Sequence, residues 1–412
     1  MAKSEMMVVD LDGVEKKVSG SFWRGADTRF LPLEAGMQLP TALAQHVLSG
    51  WMPKAPFINE DTTIVAFGSC FAHHISGYLN NLGYDVATQK KGKAYITEMG
   101  DGIVNSYAIR QQFEWGWEGR VPEIPLWHGY KAEDFGYEED VRIATRELFD
   151  KADVFIITLG LSEIWYDEPT GEVFWRAVPR AQFDPGRHKF RVATVEENKD
   201  NLRSVYKLIR KHRPDASIIF TVSPVTLSAT FRPIGPFTAN AVSKASLRCA
   251  VDEVILEYKD DDNFYYYPAY EVVLNCFHYP FVDDLRHPQK HVLDVNMIAF
   301  ERYFCCTGLT DDDVGLAYLN ALAADRATAT LTLDEQEQIN VQLRALQETN
   351  RPASVRREKA QEARQALAEA RLQEKAAREA DRDRRIAERN ERIAAREREL
   401  AARKDKMQSR EG

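Results

Sequence analysis

The sequence has few cysteines and no long uninterrupted run of apolar residues. Its five cysteines are scattered among 412 residues, without the C-x-x-C spacing of zinc sites or the density of secreted disulfide scaffolds. No segment approaches the roughly 18 consecutive apolar residues of a membrane-spanning helix. The first residues mix charges into their only apolar patch, unlike a signal peptide. We therefore expect reduced thiols, no membrane span and a cytoplasmic location.

Signatures of phosphate and metal binding are also missing. The segment 90–95, KKGKAY, is basic but lacks the G-x-x-x-x-G-K-[ST] spacing of a phosphate loop. His278 and His291 have no carboxylate or cysteine partner at ligand spacing on one helix face. We expect no metal and no resident cofactor.

Charge is unevenly distributed along the chain. The net charge is −9, yet residues 353–412 hold 18 Lys and Arg against 13 Asp and Glu, so the rest of the chain is strongly acidic. An acidic body argues against nucleic-acid binding, which needs a basic face. Apolar residues make up 44% of the sequence, enough for a sizeable core.

The basic end of the chain is rich in Ala, Glu and Arg, which predicts a long charged helix over residues 352–412. Its apolar stripe lacks half of a coiled-coil seam, since only one position of each heptad is apolar. The stripe residues are Ile386, Ile393, Leu400 and Met407. This helix is the expected site for a protein partner or for self-association. The predicted divisions are 1–55, a segment packing on the domain; 56–306, the main domain; 307–351, a helical extension; and 352–412.

Between residues 61 and 306, strand-like and helix-like patterns alternate, which is typical of a parallel sheet covered by helices on both faces. Apolar spacing predicts helices over Glu196–His212 and Ser243–Tyr258. The predicted strands are Ile64–Phe67, Tyr84–Thr88, Asp153–Gly160, Ser217–Pro224 and Asn263–Tyr270. We therefore expect a three-layer α/β/α domain whose ligands bind beyond the carboxyl ends of the strands.

The segment Thr62–Ala72, TTIVAFGSCFA, predicts a strand, a tight turn at Gly68 and a helix start. The free N–H groups and the dipole at a helix start stabilise a thiolate or an oxyanion. Cys70 is therefore a candidate nucleophile, with Ser69 as its rival. A small buried cysteine in a tight turn would give the same pattern. The choice between a nucleophile and a structural cysteine therefore depends on which other side chains lie near Cys70.

An Asp-x-x-His motif follows the last predicted strand. His287 can take a proton from a thiol or hydroxyl, and Asp284 can hold the imidazole tautomer. The alternative is a surface Asp that caps a helix beside a solvated His. A further polar turn, Gly160–Glu163, follows the third predicted strand.

The motifs FGSCFA, TLGLSEIW, TVSPV, NAVSKASLR and DDLRHP resemble the GSCFA domain family, itself similar to the SGNH or GDSL-like hydrolases. The resemblance covers Pro56–Phe304 and implies a flavodoxin-like, SGNH-like parallel sheet. It implies that Cys70 takes the position of the nucleophilic serine, and that Asp284 and His287 match the Asp-x-x-His pair.

The same resemblance implies an oxyanion block at Gly160–Glu163, with Ser162 in the asparagine position and Glu163 after it. The replacement donor is expected from the N–H groups of Ser69 or Phe71, or from Asn105, which is otherwise a turn residue. Lys244 is expected to meet a phosphate or carboxylate of a donor, or else to be a solvated lysine at a helix start.

A thiolate exchanges acyl groups with thioesters, so acyl transfer fits as well as hydrolysis, and an acyl-thioester donor is compatible. The resemblance implies an acyl hydrolase, esterase or O-acyltransferase acting on a carbohydrate or another hydroxylated small molecule. Trp115 and Trp117, in a predicted loop, are either a sugar-stacking platform or a local core. The alternative function is a catalytically degenerate, ligand-binding scaffold whose helical tail recruits a partner.

Overall fold

Five parallel strands form the central sheet of the computed structural model. Numbered along the chain, the strands are β1 (Met6–Leu11), β2 (Val14–Ser19), β3 (Thr63–Gly68), β4 (Asp85–Val86), β5 (Val154–Leu159), β6 (Glu163–Asp167), β7 (His188–Val192), β8 (Ser217–Val222) and β9 (Phe264–Tyr266). The central sheet has the order β4-β3-β5-β8-β9, while β1-β2 and β6-β7 are separate antiparallel pairs. If the five strands of the central sheet are renumbered 1 to 5 along the chain, their order is 2-1-3-4-5, as in flavodoxin-like folds.

Helices cover both faces of this sheet. In chain order they are α1 (Cys70–Asn81), α2 (Tyr95–Glu98), α3 (Ser106–Glu118), α4 (Glu139–Lys151), α5 (Val195–His212), α6 (Pro236–Glu257), α7 (Ala269–Cys276), α8 (Lys290–Phe304) and α9 (Asp311–Thr328). Helices α3 to α6 pack in one core cluster, and α1 with α7 to α9 pack in the other. The predicted three-layer α/β/α fold is confirmed.

The alternation of side chains along the strands explains why both faces are apolar. In β3, Val65 and Phe67 enter the cluster under α3 to α6, while Ile64 and Ala66 enter the cluster under α1. Strand β5 is buried along its whole length. A parallel strand covered on both faces has to be apolar at every position, which is why these strands appear in the sequence as continuous apolar runs.

The structure describes residues 6–11, 14–19, 28–90, 92–98, 102–127 and 136–328, together with 341, 342, 369 and 373. They belong to two units, Met1–Thr330, which holds the α/β fold, and Leu331–Gly412. The predicted charged helix over 352–412, apart from residues 369 and 373, lies outside the described residues. No helix of the described ranges is long and apolar enough to cross a membrane.

Several predicted elements differ in extent from those in the structure. Strand β4 has two residues and passes into a short 3-10 helix, Ala87–Gln89. The fifth strand of the sheet ends at Tyr266, because helix α7 follows at Ala269 with Pro268 as its N-cap. Helix α6 begins at Pro236, seven residues before the predicted start, since proline is well suited to a first helical position.

Two further differences concern a pair of tryptophans and an additional hairpin. Trp115 and Trp117 lie in helix α3 rather than in a loop, and both are buried. The β6-β7 hairpin was not predicted, although one of its strands follows the polar turn at Gly160.

Candidate active site

A cavity of about 400 Å³ opens at the carboxyl edge of the central sheet. Residues that follow β3, β5 and β8 line it, which is where parallel α/β sheets bind their ligands. Its wall includes Ser69, Cys70, Gly160, Thr226, Phe231 and Arg286.

The turn between β3 and α1 presents Cys70 to this cavity. Gly68 has a φ of +135°, and a Cβ there would lie 2.1 Å from the Thr158 carbonyl oxygen, so glycine is required. Ser69 is the N-cap of α1, and its hydroxyl accepts a hydrogen bond from the Phe71 N–H at 3.3 Å. Cys70 is therefore the first residue of the helix, half-buried and on the cavity wall.

Three hydrogen bonds hold Ser69 in the turn. Its Oγ lies 2.9 Å from Thr158 Oγ1, its backbone N–H donates to the same hydroxyl oxygen at 2.7 Å, and it is 4% exposed. The Phe71 N–H donates to Ser69 Oγ. Both N–H groups are already bonded, which corrects the expectation that they hold an oxyanion.

The Asp-x-x-His motif forms a closed turn. His287 Nδ1 lies 2.6 Å from Asp284 Oδ2, and Asp284 Oδ1 accepts from the backbone N–H groups of His287 (3.0 Å) and Arg286 (2.8 Å). The backbone N–H and ring of His287 and the N–H of Arg286 hold the pKa of Asp284 well below its usual value. Leu285 occupies the left-handed region with a φ of 56°.

Contacts with Thr226 attach this turn to the cavity. The Thr226 hydroxyl donates to the Leu285 carbonyl at 3.2 Å, and Arg286 Nε donates to the Thr226 carbonyl at 3.3 Å. Thr226 and Arg286 line the cavity with Cys70. Burial, then the charges of His73 and His287, lower the pKa of His74, which lies one helical turn after Cys70. The Asp284–His287 turn and the start of α1 are thus neighbours at one edge of the cavity.

Ser162 has a structural role in a buried network. Its hydroxyl donates to the Ser243 carbonyl at 2.9 Å, and its N–H donates to Ser243 Oγ at 2.7 Å. Asn198 Nδ2 donates to Ser162 Oγ at 3.4 Å. Because the hydroxyl proton of Ser162 is used on a backbone carbonyl, the expectation that it stabilises an oxyanion is corrected.

Asn105 lines the cavity, but its amide is also fully used. Its Oδ1 accepts from the Ala108 N–H at 2.9 Å as the N-cap of α3. Its Nδ2 donates to the carbonyls of Phe174 (3.3 Å) and Trp175 (2.9 Å). The structure therefore supports the turn-residue alternative for Asn105 and removes it as an oxyanion donor.

Lys244 is 0% exposed, in the interior of α6. Its Nζ donates to the Gly160 carbonyl at 2.6 Å. A side chain without solvent access cannot meet a substrate phosphate, so both earlier expectations for Lys244, a substrate ligand and a solvated helix-start lysine, are corrected.

The other residues of the polar turn after β5 have different roles: the Gly160 N–H bonds to the backbone, and Glu163 lines the cavity. The Gly160 N–H donates to the Val104 carbonyl at 2.8 Å. Glu163 is buried on the cavity wall, where its Oε1 accepts from the Thr230 hydroxyl at 2.7 Å. Its Oε2 has no hydrogen-bond partner among the described residues.

Sequence reasoning missed Arg286 and the aromatic part of the wall. Arg286 lies inside the DDLRHP motif, between Asp284 and His287. Trp165 and Phe231 meet edge to face, with ring centroids 5.0 Å apart. Trp165 lies on the unpredicted strand β6, and Phe231 lies in the loop between β8 and α6. Their contact joins residues distant in sequence, so no local signal pointed to them.

The other cysteines lie away from this cavity wall. None of the five cysteines, all of which the structure describes, forms a disulfide, and Cys249 and Cys306 are exposed. Burial raises the pKa of both Cys276 and Cys305 to about 12. The described ranges contain no cluster of three or more His, Cys, Asp or Glu that could hold a metal ion.

The fold and this site define a doubly wound α/β protein in which Cys70 and Arg286, a residue inside the Asp-x-x-His motif, line one cavity, while Asp284 and His287 are not part of its wall. The chain belongs to the GSCFA family, whose model matches residues 63–300, more than half of its length.

Two solved structures are similar at a low level. A protein named as a GDSL-like lipase, from Parabacteroides merdae, is 14% identical with a TM-score of 0.26, over 65% of this chain and 99% of that one. An acetyl xylan esterase from the rumen bacterium Butyrivibrio proteoclasticus is 13% identical with a TM-score of 0.21, over 50% of this chain and 55% of that one. TM-scores of this size support no conclusion. No curated protein matches the chain.

Proposed function

We propose that this protein transfers acyl groups through a thioester on Cys70, as a hydrolase when water is the acceptor or as an O-acyltransferase when a hydroxyl is. The observation that carries the proposal is that Cys70 lines one cavity with Arg286, the residue before His287. A thiolate is the stronger nucleophile at neutral pH, and the Ser69 hydroxyl serves as a helix cap. Cys70 is therefore preferred to Ser69.

In the acylation step, Cys70 Sγ attacks the acyl carbonyl carbon while His287 takes the thiol proton. His287 then gives this proton to the leaving group as the bond to the acyl carbon breaks. In the second step His287 removes a proton from water or a hydroxyl, whose oxygen attacks the thioester and releases the thiol. Asp284 bonds Nδ1 at 2.6 Å, which keeps Nε2 for these proton transfers.

Two groups are assigned to the developing oxyanion. The N-terminal end of α1 carries the positive end of the helix dipole and begins at Cys70. Arg286 bonds Thr226 through Nε and has two terminal nitrogens for an anionic oxygen. These groups replace the side-chain amide that the family resemblance implied at Ser162.

The cavity wall indicates which part of a substrate it takes. Trp165, Phe174 and Phe231 contribute apolar surface, and the volume of about 400 Å³ suits a small ligand. An acyl chain is the natural occupant of such a wall. A carbohydrate or other hydroxylated acceptor rests on family analogy alone.

The test is hydrolysis of p-nitrophenyl esters and acyl thioesters of short and medium chain length. We expect Cys70→Ala and His287→Ala to lower the rate by about 10² to 10⁴, while Ser69→Ala keeps measurable activity. Cys249→Ser, which changes an exposed thiol, is the matched control. Full activity in Cys70→Ala would remove the proposal.

A degenerate ligand-binding scaffold is the second candidate. It is favoured by the hydrogen bonds that occupy Ser162 and Asn105. It predicts that ligands bind without turnover and that Cys70 reacts with iodoacetamide no faster than a thiol in the unfolded chain.

A further inference from the structure

The buried amine of Lys244 has no role in the acyl transfer proposed above. It lies in the interior of α6 with 0% exposure, and Nζ donates to the Gly160 carbonyl at 2.6 Å. An ammonium group taken out of water without an opposite charge is costly, and a neutral carbonyl compensates only part of that cost. Burial accordingly lowers the pKa of Lys244 to about 7.

The carbonyl that Lys244 bonds lies next to the nucleophile turn. Gly160 lines the cavity with Ser69 and Cys70, and a Cβ on Gly160 would lie 3.5 Å from Ser69 Cβ. The amine of Lys244 therefore lies behind the turn that carries Cys70. Its side chain extends from α6 to the Gly160 carbonyl, and Lys244 itself is not part of the cavity wall.

The charges that act on this amine come from two elements. Among the described residues, Cys70 on α1 is the group whose charge favours the Lys244 ammonium, and Arg286 in the Asp284–His287 turn opposes it. A thiolate at Cys70 therefore offsets part of the cost of burying the ammonium. The reverse holds as well, because a nearby cation lowers the free energy of a thiolate.

We propose that the Lys244 ammonium is the buried counter-ion of the Cys70 thiolate, so that each group favours the charged form of the other. Ionisation of Cys70 releases one proton, which His287 or solvent takes, and the ammonium keeps its own protons. Lys244 is a positioning residue, since it acts through Cys70 and does not touch the substrate. The inference rests on Cys70 being the reactive group of the proposed function, but not on any acyl substrate.

The test is the rate at which iodoacetamide alkylates Cys70 as a function of pH, read by peptide mass spectrometry. Lys244→Met keeps the shape of the side chain and removes the charge. We expect it to raise the pH midpoint of Cys70 alkylation by about one unit or more, and to slow alkylation about tenfold below that midpoint. The exposed thiols Cys249 and Cys306 are internal controls whose profiles should not move.

Two further variants separate charge from structure. Lys244→Arg keeps a cation and should retain most of the wild-type profile. Lys244→Gln keeps a donor for the Gly160 carbonyl and should shift the profile as Met does; it replaces Met if that variant does not fold by circular dichroism. An unchanged Cys70 midpoint in either folded neutral variant would overturn the proposal and leave Lys244 as a structural donor.

Failure of this proposal can be told apart from failure of the proposed acyl-transfer function. A shifted alkylation profile without acyl turnover in the wild type would support the ion pair and reject the enzyme. Acyl turnover with an unshifted profile would support the enzyme and reject the ion pair.

Discussion

Asp284 binds His287 through both of its carboxylate oxygens. Oδ2 lies 2.6 Å from the ring nitrogen Nδ1, and Oδ1 accepts the backbone N–H of the same histidine at 3.0 Å. The carboxylate therefore fixes the turn and the ring together. An aspartate in this position selects the tautomer that has a proton on Nδ1 and stabilises the imidazolium.

Asp284→Asn should lower acyl turnover on the order of tenfold to a hundredfold, less than for a fully buried triad aspartate because this pair is half-exposed. The pKa of Asp284 is lower in the folded protein than in the unfolded chain. The carboxylate therefore stabilises the fold at a pH above the unfolded-state pKa, and this contribution is lost as the pH falls through the folded-state pKa. The contribution of Asp284 to the free energy of unfolding should therefore be fully present above about pH 5 and shrink as the pH falls below about 4, which denaturant unfolding of Asp284→Asn beside the wild type checks. Asp283→Asn, in the exposed neighbour, is the control and should leave turnover unchanged.

Ser69→Ala should affect stability more than chemistry. It removes the N-cap of α1 and the contact with Thr158, and we expect a loss of about 1 kcal/mol in the free energy of unfolding. Thermal melts and esterase assays on the same preparation check this, with Ser246→Ala, at a half-buried serine in the interior of α6, as the control. Loss of all turnover in a stable Ser69→Ala protein would identify Ser69 as the nucleophile instead.

Gly68→Ala should prevent or severely weaken folding. Its Cβ would lie 2.1 Å from a backbone oxygen at a φ of +135°, a clash that no side-chain movement can relieve. Gly77→Ala is the matched control, because position 77 lies within α1 and has open space around it. There we expect a gain of up to about 1 kcal/mol. Equal melting temperatures for the two variants would contradict the turn geometry.

Phe231→Ala should change the preference for acyl chain length. The ring lines the cavity and packs against Trp165, so its removal lowers the apolar surface that a chain can bury. At about 0.8 kcal/mol per buried methylene, the advantage of longer over shorter acyl esters should fall several-fold. Phe237→Ala, in a ring that is 65% exposed and is not part of that wall, should leave the ratio of kcat/KM values unchanged.

The sequence was informative where local pattern and chemistry coincide. The apolar run before Gly68 predicts a buried strand, which the structure confirms, and the turn that requires glycine there places Cys70 at the helix start. The three-residue spacing of Asp284 and His287 in a turn was enough to predict their contact, which the structure confirms.

Other parts of the site depend on contacts distant in sequence. Whether Asn105 and Ser162 are free or bonded is decided by the carbonyls of Trp175 and Ser243, 70 and 81 residues away. The burial of Lys244 likewise depends on Gly160, 84 residues earlier. No local pattern encodes such partners, so the sequence predicted substrate contacts at positions whose polar groups bond to the protein itself.

The most direct test of the account is to look for the acyl group on Cys70. The protein is mixed with a medium-chain acyl thioester, quenched in acid, and mapped by peptide mass spectrometry. The account predicts a mass increase of one acyl group on the peptide that contains Cys70, formed much more slowly in His287→Ala and absent from Cys70→Ala. An acyl group on Ser69, or turnover with no acylated residue, would contradict it.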